Sequence, residues 1–324
     1  MTRATPTPGS FAKHRHAHSR LRLMHAGGLK DLPAETLTPA RRGSRIMSYQ
    51  NYKGLRIRLD KGVAFVTIDH PPINLFDIPL MVEMDRLGRE VEEDPEVRVI
   101  VFDSADPDYF IAHADVGLIQ QLPDSVPEKS SELNFFHALV DRFRTMPKVS
   151  IAKLEGRTRG GGSELVLSLD MRFAALGKAI VSQPEVALGI LPGGSGTQHL
   201  PRLMGRGRAL EMILGCADFD AELAERYGYV NRALEPEKLG PFVDDLAYRI
   251  AGFPREAVAF AKQSVANADG PFIEGLLEEA HLFNRTLATP EAKTRMERFL
   301  EEGGQTREAE LDLRPLLDRL DKGR

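Results

Sequence analysis

Two short stretches hold residues whose types and spacing could do chemistry. The first, "RGGGSELVLSLD" at 159–170, sets three glycines and one carboxylate, Glu164, ahead of an apolar run. The second, "SQPEVALGILPGG" at 182–194, places Glu185 directly after Pro184, twenty-one residues beyond Glu164. A glycine run before a helix could cradle a phosphate, set up a nucleophile or offer donors to an oxygen that becomes negative. A phosphate loop needs GxxxxGK followed by Ser or Thr, and no Lys follows Gly162; the GxGxxG dinucleotide pattern is missing too. The second glycine-rich segment, "LPGGSGTQ" at 191–198, also lacks the Lys. A serine nucleophile on a strand-to-helix elbow requires GxSxG, whereas Ser163 sits in GGSEL and Ser195 in GGSGT.

What remains is a strand–loop–helix junction whose helix starts at the glycines. A helix N-terminus presents unpaired N–H groups and a partial positive charge of ~0.5. Glycine lets a ligand approach that backbone closely. One such donor to a developing oxyanion can be worth ~3 kcal/mol in the transition state. Glu164 in the first turn also fits ordinary capping and dipole chemistry. Glu185 after a proline likewise fits a plain helix start. Spacing alone does not bring the two together. If they meet around one water, they could divide acid and base roles as their environments push their pKa values apart.

The elements that must position these residues alternate. Leu55, Ile57 and Leu59 alternate with polar residues, and Val63–Ile68 is apolar and β-branched, so two strands joined at Asp60-Lys61-Gly62 are expected. Leu80, Met81, Met84, Leu87 and Val91 fall at helical spacing. "VRVIVFDSA" and "KVSIAKLEG" read as buried parallel strands on either side of a helix over 132–146. Such alternation implies an α/β core. Beyond about 240 the strand signals stop, and 241–252, 255–268 and 272–302 read as helices. The expected organisation is a basic, disordered extension over 1–46, an α/β core over 47–240 and a helical region over 241–324.

Composition narrows the partners. The chain has 42% hydrophobic and 28% charged residues, ordinary for a globular protein. Residues 1–46 carry nine Lys/Arg against Asp31 and Glu35, a net +7, so a whole-chain charge of −4 leaves −11 on the remainder. An acidic body speaks against nucleic acid, whose phosphates need a basic surface. No apolar run approaches the ~18 residues of a membrane span, so no membrane partner is expected. Cys216 is the single cysteine, which rules out an internal disulfide and fits a reducing compartment. The one close histidine cluster (His14, His16, His18) lies in the extension, so no metal is expected. The extension is Arg-rich and acid-poor, as transit peptides are, but Pro6, Pro8 and Gly27-Gly28 interrupt a long amphipathic helix. A cytoplasmic protein starting effectively at Met47 is the preferred reading, with mitochondrial targeting as the alternative.

Five segments in order then resemble one family. "VAFVTIDHPPINLF" with "DPEVRVIVFDSA", "YFIAHAD", "MPKVSIAKLEGRTRGGGSELVLSLDMRFA", "QPEVALGILPGGSGTQHLPRLMG" and "AELAERYGYVNRAL" are similar to successive motifs of the enoyl-CoA hydratase/isomerase (crotonase) superfamily, over residues 55–300. The resemblance implies a crotonase-like spiral of ββα units with a C-terminal helical region, assembled as a homotrimer or hexamer. It implies an acyl-CoA thioester as substrate, with coenzyme A entering as part of it and no separate cofactor. Its oxyanion-hole donors fall on the backbone of Ala112 and Gly161, and its two glutamates on Glu164 and Glu185. His113, Asp115, Gly160 and Gly193 fall on the surrounding substrate-binding segments. The implied reaction is addition of water to a 2-enoyl-CoA, with Glu185 as the preferred proton donor and Glu164 activating the water. Isomerases of the family often retain one such carboxylate, so the pair favours hydration. Isomerisation, decarboxylation, thioester hydrolysis and non-catalytic acyl-CoA binding are the alternatives.

The departures from the family pattern are specific. His113 stands where the family has glycine, Ile73-Asn74-Leu75-Phe76 replaces N-A-L-N, and Arg157 and Arg159 precede the glycines. The arginines could meet CoA phosphates or an acidic acyl group, or face solvent.

Overall fold

The computed structural model describes residues 49–122, 130–270, 281, 285, 289–303, 319 and 320. The basic segment 1–46 and the apolar face at Ile273, Leu276, Leu277, Ala280 and Phe283 lie outside the described residues. The first two strands, β1 (Leu55–Asp60) and β2 (Val63–Ile68), form the expected hairpin, with Leu55 opposite Ile68 and Asp60 opposite Val63. Its turn residues, Lys61 and Gly62, both have positive φ (48° and 81°), the two-residue geometry whose twist matches the flanking strands.

Helix α1 (Ile78–Glu93) is capped by Asp77, whose side chain accepts from the Leu80 N–H at 3.0 Å, and it buries Leu80, Met81, Met84, Leu87, Gly88 and Val91 on one face. Strands β3 (Val99–Ser104) and β4 (Tyr109–Ile111) follow, then helices α2 (Val116–Ile119) and α3 (Phe135–Thr145). Next come β5 (Val149–Leu154), β6 (Arg157–Arg159), α4 (Gly161–Leu167), β7 (Met171–Ala175) and β8 (Ile180–Ser182). Helices α5 (Gly196–Met204) and α6 (Arg206–Gly215) lead to β9 (Phe219–Asp220), α7 (Ala221–Tyr227) and β10 (Arg232–Leu234). The described chain ends in α8 (Pro236–Ala251), α9 (Arg255–Ala266) and α10 (Pro290–Glu301).

Two sheets result. One has the order β1-β2-β3-β5-β7-β10, the other β4-β6-β8-β9. After β3, β5 and β7 the chain crosses from the larger sheet to the smaller and returns through helices, so each ββα turn gives one strand to each sheet. The fold is the expected α/β spiral. Both faces of the larger sheet are covered. α1 and α3 pack Leu80, Met84 and Phe143 against Phe102 on one side. On the other, Leu239, Val243, Ala247 and Ala251 of α8 cover Val63, Val99, Val101, Ile151 and Phe173. Burial on two sides explains why β3 reads as a continuous apolar run, and each such side chain stabilises by about 1.5–3 kcal/mol. The boundary expected at 240 therefore falls inside α8, a helix that belongs to the core. No helix among the described residues is long and apolar enough to cross a membrane.

The smaller sheet gathers three chain ends in one place. β4, β6 and β8 run parallel, with Ile111 opposite Thr158 and Arg159 opposite Ser182, so their C-terminal ends share one edge. α4 is seated there by close approach: a Cβ on Gly162 would lie 2.6 and 2.7 Å from Ile111 Cγ2 and Cβ and 2.8 Å from its carbonyl oxygen. Gly162→Ala is expected to lower stability by about 1–3 kcal/mol through overpacking. Gly207→Ala in α6, where a Cβ meets nothing within 4 Å, should instead be neutral or stabilising by up to about 1 kcal/mol. Urea unfolding of the two variants checks both signs.

Candidate active site

Three loops meet where the three parallel strands end. Residues 112–115 follow β4, Gly160 and the start of α4 follow β6, and Gln183 to Glu185 follow β8. Gly160 turns the chain at φ 49°, ψ −125°, a conformation that side chains disfavour. A Cβ there would lie 3.0 Å from Glu185 Oε1 and 3.5 Å from His113 Cβ. A Cβ on Gly161 would lie 2.9 Å from Ala114 Cβ and 3.5 Å from Ala114 N. The glycine triplet is thus the point where the loops touch, and side chains there would drive them apart.

Of the two N–H groups expected as donors, that of Ala112 is engaged within the fold. Ala112 is buried, and its N–H donates to the Ile73 carbonyl at 3.3 Å, so it is already used inside the fold. Ala114 is the residue of that loop lying against Gly161. Hydrogen bonds from Phe76 N–H to the His113 carbonyl (2.9 Å) and from Asp115 N–H to the Phe76 carbonyl (3.2 Å) hold the loop on both sides of it. Among the described residues, neither the Ala114 N–H nor the Gly161 N–H has a protein acceptor. Gly161 stands at the N-terminus of α4, where unpaired N–H groups are expected.

The two glutamates flank this place but are held differently. Glu164 is 4% exposed, and its Oε1 accepts from the N–H groups of Gly194 (2.6 Å) and Gly196 (2.9 Å). A Cβ on Gly194 would lie 2.4 Å from Glu164 Oε2 and 2.3 Å from the Phe136 ring. The glycines that matter in this loop are Gly194 and Gly196. Gly193 is exposed, and its nearest neighbour is the Leu191 carbonyl at 3.7 Å from a Cβ. Burial pushes the Glu164 carboxyl up to about 7; the N–H groups of Gly196 and Gly194 oppose the rise, and the charge of Glu185 adds to it. Glu185 opens a one-turn 3₁₀ helix (Glu185–Leu188) and is 8% exposed. Burial raises its pKa, and His113 pulls it down.

His113 is half-buried, its Nδ1 lying 2.8 Å from the Ala114 carbonyl, which pins the ring beside Glu185. Asp115 has a structural use: it caps α2, accepting from the Gly117 N–H at 2.8 Å. Arg159 pairs with Asp218 (Nε–Oδ1 2.8 Å) and Arg157 lies 3.5 Å from the Asp108 carbonyl, so Arg159 is neutralised within the chain. Asn74 is buried and donates to Ser104 Oγ (2.9 Å) and to the carbonyls of Tyr109 and Phe110 (3.2 Å each), anchoring the start of β4. Ala114, against Gly161, and Gln183, beside Glu185, are not singled out by the sequence, while Gly194 and Gly196 stand in its second glycine-rich segment. Motif order marks their loops, but only cross-loop contacts select among neighbours.

The sign of the Glu164 shift makes a stability prediction. A carboxyl whose folded pKa lies above its unfolded value of 4.5 binds its proton more tightly when folded. Its contribution is complete below about pH 4.5 and is lost as pH rises through about 7. Glu164→Gln keeps an oxygen for the two N–H groups and removes the titration. The stability of the parent relative to this variant should fall between pH 5 and pH 8 by up to about 3 kcal/mol. Equal differences at both pH values in urea unfolding would exclude the shift.

Residues 58–308 match the family model for enoyl-CoA hydratase/isomerase. The chain is 33% identical over 241 residues to a short-chain-enoyl-CoA hydratase of Clostridium acetobutylicum, covering 74% of this chain and 91% of that protein. It is 33% identical over 256 residues to a crotonyl-CoA hydratase of Syntrophomonas wolfei, covering 77% and 96%. The crystal structure of an enoyl-CoA hydratase from Bacillus anthracis superposes with a TM-score of 0.70 at 25% identity, covering 77% of this chain and 97% of that one. With the spiral of ββα units and five motifs in order, this places the chain in the enoyl-CoA hydratase/isomerase family.

Proposed function

We propose that the protein adds water across the double bond of a 2-enoyl-CoA. The observation that carries this reading is the placement of two buried carboxyls, Glu164 and Glu185, around the unpaired N–H groups of Ala114 and Gly161. The thioester oxygen accepts from those two N–H groups, which stabilise it as it gains enolate character. Glu164 takes a proton from water while the water oxygen bonds to the β carbon. Glu185 gives its proton to the α carbon. One water is consumed, Glu164 ends protonated and Glu185 ionised, and exchange with solvent restores both. Glu164 suits the accepting role because two N–H groups hold it as an acceptor.

The substrates of the Clostridium and Syntrophomonas relatives support a short acyl group. His113, pinned beside Glu185, reduces the space that a glycine would leave at the same position.

The test follows loss of the conjugated enoyl-thioester absorbance across 2-enoyl-CoA chain lengths. Glu164→Gln and Glu185→Gln should each lower kcat/KM by at least about 100-fold. The parent's kcat/KM should fall as pH drops below about 7, where Glu164 becomes protonated. Absence of turnover at every chain length would sink the hydratase reading.

A further inference from the structure

Glu185 meets one side chain that the hydration chemistry leaves without a role. Gln183 is fully buried between the Glu185 carboxyl and the Ser163 hydroxyl. With its amide nitrogen towards Glu185, it donates to both carboxylate oxygens at 3.1 and 3.0 Å while its oxygen accepts from Ser163 Oγ at 3.1 Å. Turned over, its nitrogen donates to Ser163 Oγ at 3.1 Å and its oxygen faces the carboxyl. Ser163 Oγ also lies 2.7 Å from the Tyr229 hydroxyl. Arg172, also buried, donates from Nε to the Tyr229 carbonyl at 2.8 Å and fixes that residue. Ser163, Gln183 and Tyr229 are all 0% exposed, so bulk water does not replace a missing partner.

The two amide orientations match two protonation states of Glu185. A carboxylate only accepts and requires the amide nitrogen; a protonated carboxyl can donate to the amide oxygen. The first arrangement uses every hydroxyl hydrogen, with Tyr229 donating to Ser163 and Ser163 to Gln183. In the second, Ser163 receives from Gln183, and one hydrogen of the Ser163–Tyr229 pair has no acceptor among the described residues. Donors in series also polarise the amide, and its bonds to an anion are the stronger kind.

We propose that Ser163 and Tyr229, acting through the Gln183 amide, are positioning residues that lower the affinity of Glu185 for its proton and make it a better donor to the α carbon. The proposal rests on the hydratase reading for its last clause only. The other titratable groups at Glu185 are His113, from the loop after β4, and Glu164, from α4. Neither is altered in the variants below. Burial raises the Tyr229 pKa, so its hydroxyl remains a donor throughout the working range.

The experiment is a carboxyl ¹³C NMR titration of the free protein labelled in glutamate, with the Glu185 signal assigned by Glu185→Gln. The midpoint of Glu185 should rise by about 0.3–0.5 in Tyr229→Phe, by more in Ser163→Ala and by about one or more in Gln183→Met. Tyr248→Phe, which removes a hydroxyl bonded to Asp60 elsewhere, should leave it in place. In the enoyl-CoA assay, Tyr229→Phe should lower kcat a few-fold and move its alkaline limb to higher pH. A midpoint that moves in Gln183→Met but in neither hydroxyl variant would overturn the proposal, reducing Ser163 and Tyr229 to packing. If Ser163→Ala fails to fold, Tyr229→Phe, which loses a single oxygen, decides. Midpoints that rise as expected in a protein without turnover would uphold the effect on Glu185 and reject the hydratase reading separately.

Discussion

The site depends on backbone without side chains at residues 160–162. Each of these glycines faces a different neighbour: Gly160 the Glu185 carboxyl and His113, Gly161 the Cβ and backbone of Ala114, and Gly162 the side chain and carbonyl of Ile111. The N-terminus of α4 can lie against the end of β4 only because no Cβ intervenes. That contact puts two N–H groups from separate segments at one place, with the positive end of a helix behind one of them. The parallel pairing of β4, β6 and β8 supplies the other half of the constraint, since it brings three chain ends to one edge regardless of their separation in sequence.

Given that frame, two carboxyls of the same type acquire different characters from their partners. Glu164 is fixed by N–H groups of the main chain, which cannot turn and which favour the anion, while burial disfavours it. Glu185 faces a side-chain amide, which can present a donor or an acceptor. Environments that separate two carboxyls in this way are how one site assigns acid and base. The distinction comes from Gly194, Gly196 and Gln183, none of which is itself ionisable.

Much of the fold is legible in the sequence because its signals are local. The β1–β2 hairpin follows from alternation and the Lys61-Gly62 turn, α1 from its apolar spacing, and β3 from an unbroken apolar run. The boundary expected at 240 falls inside a helix that begins at Pro236 and packs Leu239 against the larger sheet. In the site, Glu164 and Glu185 are both buried in segments that follow parallel strands of the smaller sheet. The N–H of Ala112, the expected donor, is instead taken up by the Ile73 carbonyl, nearly forty residues upstream in the chain, while that of Ala114 has no acceptor among the described residues. Arg159 has the sequence position of a candidate phosphate ligand, but Asp218, across the β8–β9 side of the smaller sheet, neutralises it. Such selections rest on non-local contacts that no window of sequence contains.

Reversibility connects the buried polar chain to the chemistry. Addition of water and its removal pass through the same transition state, so the group that gives a proton in one direction takes it back in the other. A site rigidly matched to one protonation state of Glu185 would oppose the other throughout the cycle. An amide that meets either state by turning about a terminal torsion avoids that opposition, because such torsions are broad and roughly two-fold. The hydroxyls of Ser163 and Tyr229 then bias the turn without blocking it. Their complete burial is what gives them leverage, since in water the same hydroxyls would find other partners and the bias would vanish.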